Sequence, residues 1–78
     1  MNYKEVVKNL KAKDWKQVDN ITNVVVMTKG FNRIMVDKSE KFDTVGYIVD
    51  NTKTKEHLGD GELEDIMDVF KLDEVYGK

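Results

Sequence analysis

An α+β domain, ordered helix, three antiparallel strands, helix, is the fold class predicted by three observations. Apolar residues recur at helical spacing near both ends of the 78-residue chain, and its middle is rich in β-branched residues. The connections between the middle segments are short and polar, which favours an antiparallel meander. A sheet is the one surface large enough to receive both helix stripes, so both helices are expected on one of its faces. A chain of this length has room for one core and for roughly a few kcal/mol of net stability, to which oligomerisation would add.

The first helix is expected over about residues 3–13. Tyr3, Val6, Val7 and Leu10 share one narrow arc of the helical wheel, and Asn2 followed by Glu5 has the spacing of a capping box. Lys4, Lys8 and Lys11 lie beside that arc and give the helix a basic edge. Trp15 and Val18 are read as part of a connecting segment laid over the core. Strands are expected at about 21–29, 31–37 and 42–50. Lys29-Gly30 opens a tight turn, since glycine tolerates positive φ, and residues 37–41 and 50–53 form polar turns. The second helix is expected over about 61–71, capped by Asp60, with Leu63, Ile66, Met67 and Phe70 as its apolar stripe. A break near residues 71–73 then leads to a short C-terminal turn or tail.

Composition excludes several classes. A hydrophobic fraction of 40% is that of a folded protein, and the absence of cysteine removes disulfides and thiolate chemistry. The longest apolar run, Val24-Val25-Val26-Met27, is far too short to cross a membrane. The N-terminal residues carry no basic segment followed by an apolar one, so a cytoplasmic location is expected. The one histidine, His57, falls in an expected loop without a nucleophile beside it in sequence, and Gly59-Asp60-Gly61 sets a carboxylate where a phosphate would approach. One histidine and no cysteine cannot build a structural zinc site, and the acidic run from Asp60 lacks calcium-loop spacing. The expectation is a non-catalytic protein with no metal and no cofactor.

Charge is more informative. Residues 1–41 hold nine Lys/Arg against five Asp/Glu, whereas residues 42–78 hold four against ten. On the expected second helix Glu62, Glu64, Asp65 and Asp68 would form a carboxylate array, with Asp60, Asp73 and Glu74 at its edge, able to meet the Lys and Arg side chains of a basic partner. The basic edge with Lys13, Lys16, Arg33 and the neighbouring Trp15 offers the opposite reading, direct binding of nucleic acid. Net acidity speaks against that reading, and no direct nucleic-acid contact is expected. A third possibility lies in the sheet. Val24 and Val26 oppose Val25 and Met27, Ile34 and Val36 oppose Phe31 and Met35, and Val45, Tyr47 and Val49 oppose Thr44 and Ile48, so both faces carry apolar residues. A surface including Val25, Met27, Phe31 and Met35 is therefore expected to serve a homodimer or an adaptor contact.

With its acidic segment Glu62-Leu63-Glu64-Asp65-Ile66-Met67-Asp68 and acid-rich second half, the chain resembles the small cysteine-free early proteins of lytic phages of Gram-positive bacteria. Some of these imitate the charge of DNA. The resemblance implies an inhibitor that occupies a basic host DNA-binding protein, such as a histone-like nucleoid protein. The thirteen basic residues depart from that pattern and would have to be segregated from the acidic surface.

Overall fold

The computed structural model describes residues 1–39 and 43–78. Helix α1 spans Tyr3–Ala12, and its first turn is closed by the Asn2 side chain, which accepts from the Glu5 amide at 3.0 Å. Val6, Val7 and Leu10 form its buried side. The helix ends where Asp14 takes a left-handed conformation (φ 71°) and the Trp15 amide returns to the Leu10 carbonyl. Trp15 is thereby swung inward, to 2% exposure.

Five strands follow, not three: β1 Lys16–Asn20, β2 Val24–Lys29, β3 Asn32–Asp37, β4 Val45–Asn51 and β5 His57–Leu63. They form one antiparallel sheet in chain order, and α2, Ile66–Tyr76, closes the fold. The expected three-stranded meander is thus corrected to α-β-β-β-β-β-α. Both additional strands are edges that lack the pattern of a buried strand. In β1 every residue is exposed, and its one β-branched residue, Val18, sits at a bulge that interrupts pairing with β2. Charge and a bulge are how exposed edges avoid pairing with other chains.

In β5, glycine and carboxylates disguise a strand. Its glycines are needed because aromatic rings rest on the backbone. A β-carbon at Gly61 would stand 3.1 Å from the Tyr47 hydroxyl, and one at Gly59 would collide with the Tyr76 phenol. The β2–β3 turn requires glycine for another reason. Lys29 pairs with Asn32, and Gly30 between them has φ 61°, the sign that a two-residue hairpin demands at this position. The expected third strand began at Phe42, which lies outside the described residues.

The inner sheet face carries Val25, Met27, Ile34, Val36, Val45, Val49 and Leu63, all buried. α1 lies across β1, β2 and β3, and α2 lies against α1 and β5, so both helices cover the same face. α2 also departs from expectation. Asp60 lies in β5, and the cap is Asp65, whose carboxylate accepts from the Asp68 amide while Asp68 accepts from the Asp65 amide. The helix continues through residues 71–73 without a break. Its buried residues are Val69 and Leu72, with Tyr76 packed at the core margin, whereas Ile66 and Met67 are exposed.

Asp73 lies on this inward side. One carboxylate oxygen accepts from the Trp15 indole N–H at 2.8 Å and from the Lys29 ammonium at 3.1 Å. Lys29 also donates to the Lys13 carbonyl at 2.7 Å. Burial opposes the charge on Asp73, but the indole and ammonium donors outweigh it and hold the carboxyl below its ordinary pKa. Asp50 is held low chiefly by its hydrogen bonds from Arg33.

Replacing Asp73 by alanine leaves the buried indole donor without an acceptor, so the D73A variant should lose about 1–3 kcal/mol in urea denaturation. Because both carboxyls have depressed pKa values when folded, the unfolded chain binds their protons first as pH falls. The stability they add is present above the unfolded value near about pH 4 and is lost as acidity passes through the folded values. Denaturation midpoints measured between pH 7 and 3 should fall for the parent, and fall less for D73A.

Candidate interaction surfaces

The structure disperses the acidic residues that the sequence placed together. Asp60 and Glu62 stand on β5, Glu64 on the connection to α2, and Asp65 at the helix cap. Asp68 accepts from the Glu64 amide at 2.8 Å and also from the Asp65 amide, so its carboxylate serves the helix start. Asp73 is bonded by Trp15 and Lys29, and Glu74 is exposed on α2. Sequence reasoning projected these groups onto one helix because their spacing fits a helical wheel; the turn at residues 64–65 divides them between a strand and a helix.

The apolar set is also redistributed. Val25 and Met27, expected on an interaction surface, are 3% and 0% exposed and belong to the core. Phe31 is exposed at the β2–β3 turn with the Lys53 ammonium 5.3 Å from its ring centre. Met35 alone of that set lies on the sheet face opposite the helices. Strand alternation had separated the two faces correctly in pattern, but nothing in the pattern says which of two apolar faces a helix will cover.

No described element covers this opposite face, and the strand register arranges its side chains in three cross-strand rows. Lys16, Thr28, Arg33, Asp50 and His57 make the first, in which Arg33 grips Asp50 through two bonds of 2.9 and 2.6 Å. The second runs Asp19, Val26, Met35, Ile48, Asp60, an apolar centre with a carboxylate at either end. The third holds Val24 beside Asp37, then Gly46 beside Glu62. Gly46 opens a depression here, so Val24, Met35, Gly46 and Ile48 line a shallow groove of about 540 Å³ rimmed by Asp37, Asp60 and Glu62. Glu62 accepts from the Thr44 hydroxyl. Ile48 is 45% exposed on its floor.

Across the three rows two permanent cations face five carboxylates, so the face is apolar along its middle and acidic overall. Val24, Val26 and Ile48 were expected only as alternating strand residues, and neither they nor Asp19 and Asp37 were expected at an interaction site. The signal available was the alternation of strands β2 and β4, which becomes informative once a second strand on each side fixes the width of the sheet.

His57 and Asp60 form an exposed pair, Nε2 to Oδ2 3.0 Å, three residues apart on β5. Among the described residues no group of three or more histidines and carboxylates is gathered as a metal would require, and no helix is long and apolar enough to cross a membrane. Comparison with protein-family models, curated proteins and solved structures finds no match.

The two sheet faces make opposite predictions for the same substitution. Met27→Asp buries an unpaired carboxylate and should abolish cooperative thermal unfolding, whereas Ile48→Asp on the open face, set opposite Asp60, should cost about 1–2 kcal/mol and leave unfolding cooperative. Circular dichroism melts of the two variants check this directly.

Proposed function

We propose that the protein is a non-catalytic binding protein whose helix-free sheet face docks a basic partner with an apolar centre. The observation that carries this reading is the central row Val26-Met35-Ile48, continued by Val24 and closed at its borders by Asp19, Asp37, Asp60 and Glu62. Apolar surface of this kind supplies affinity by leaving water, while acids around its margin supply attraction and reject acidic competitors. The same acids disfavour docking of this face onto a second copy of itself.

A basic DNA-binding protein such as a histone-like nucleoid protein belongs to the partner class this surface suits. Competition with DNA follows wherever the lysines that meet the acidic rim are those that grip phosphates. Imitation of DNA by one row of helical carboxylates draws less support, since Asp65 and Asp68 serve the α2 cap and Asp73 is internally bonded.

Adding a purified histone-like nucleoid protein to the isotopically labelled chain should shift the backbone amides of Val24, Val26, Met35 and Ile48. The Met35→Asp variant and the D37N/D60N/E62Q variant should each weaken binding by about tenfold or more, the latter with a shallower salt dependence. Shifts centred on residues 64–74 would overturn the sheet-face reading in favour of a helix-borne acidic site. Absence of binding to both the nucleoid protein and a lysine-rich amphipathic peptide would overturn it altogether.

A further inference from the structure

A second groove lies on the helix-bearing side of the molecule, between α1 and edge strand β1, and its chemistry is the reverse of that on the open sheet face. Lys4, Lys8 and Lys11 form one wall, the carboxamides of Gln17 and Asn20 the other, and Val7 and Val25 the floor, with Tyr3 completing the lining. Its volume is about 430 Å³. All three lysines are exposed, and among the described residues none is paired with a carboxylate. Among the described residues no carboxylate lines the groove, although the whole chain has fifteen acidic residues against thirteen basic ones.

We propose that this groove binds a nucleoside polyphosphate. The lysines follow one another at intervals of four and three residues on α1, a rise of about 6 and then about 4.5 Å, so they present a short line of positive charge to a chain of phosphates. A simple charge trap would need nothing more. Here the opposite wall carries two carboxamides, each with a donor and an acceptor, the complement of a base edge. The apolar floor and the Tyr3 ring provide flat surface for a base to lie against.

The dimensions and surroundings select a free nucleotide over a nucleic-acid strand. The groove is short and open to solvent, with room for one small ligand lying along α1. A strand running past the groove would need further cations and exposed aromatic platforms. Trp15 is buried against Asp73, and the Lys13 ammonium sits 5.1 Å from the centre of the Phe70 ring. The site shares no residue with the acid-rimmed sheet face, so the two proposals stand or fall separately.

Titration of the labelled full chain with ATP, inorganic triphosphate and an eight-residue oligothymidylate tests the assignment. ATP is expected to shift Tyr3, Val7, Gln17, Asn20 and Val25 and to bind at least about tenfold more tightly than triphosphate. The K4Q/K8Q/K11Q variant should lose about tenfold or more of that affinity with an unchanged circular dichroism spectrum, one charge-assisted contact being worth about this much. The K38Q/K71Q/K78Q variant, with the same change in net charge elsewhere, should bind as the parent does. Equal affinity for ATP and triphosphate would overturn the base-reading half of the proposal. Tighter binding of the oligonucleotide than of ATP, equal loss in both lysine variants, or no binding of ATP would overturn the site as assigned.

Discussion

The carboxylate of Asp73 joins three parts of the chain that sequence separates widely. It receives the indole of Trp15, at the exit of α1, and the ammonium of Lys29, at the end of β2, while the surrounding residues of α2 reach into the core. Lys29 extends the junction to the last turn of α1 through the Lys13 carbonyl. A charge so placed sets the rotation of α2 about its own axis. With Asp73 inward, Val69, Leu72 and Tyr76 also turn toward the core, while Met67, roughly 120° round the helix from Asp73, faces water; Ile66 shares the side of Asp73 but is exposed as the first residue of the helix. The helix runs uninterrupted through residues 71–73 because the acid that looks like a solvent-facing interruption is one of its interior contacts.

That rotation has a consequence for the sheet. α2 settles beside α1 on one face, where the two helices, Trp15 and seven inward strand residues make the core. Nothing described lies over the other face. Five strands give this uncovered face enough width for a central apolar stripe to be bordered on both sides, with Asp19 supplied by β1 and Asp60 and Glu62 by β5. The two edge strands therefore matter twice, as protection for the sheet margin and as carriers of the acidic rim.

The distribution of charge is accordingly finer than a basic first half and an acidic second half. Arg33 and Asp50 neutralise each other across β3 and β4, Asp65 and Asp68 are engaged in starting α2, and Asp73 is an internal acceptor. Among the charges left to face solvent, two groups stand apart: carboxylates rim the groove on the open sheet face, and lysines line the α1 groove. The two grooves thus present opposite signs, each joined to apolar surface that a purely solvating role does not require.

Local pattern was sufficient for α1, whose stripe Val6, Val7 and Leu10 and whose Asn2 cap rest on residues within one turn of each other, and for the glycine-led β2–β3 hairpin. It was sufficient too for the alternation that separates Val24 and Val26 from Val25 and Met27. The edge strands were hidden because an edge needs neither apolar alternation nor β-branched residues; it needs a neighbour with free backbone groups, and that neighbour is remote in sequence. β5 was hidden further by glycines whose purpose is to admit Tyr47 and Tyr76. The phase of α2 is fixed by Val69 and Leu72 meeting the core and by Asp73 meeting Trp15, a contact 58 residues long in sequence, and the choice of exposed sheet face rests on where both helices pack. Composition and spacing determine what each segment is able to form, since those preferences are short-ranged. Which acid bonds within the fold, which valines are core and which surface is left for a partner were decided only when distant segments met.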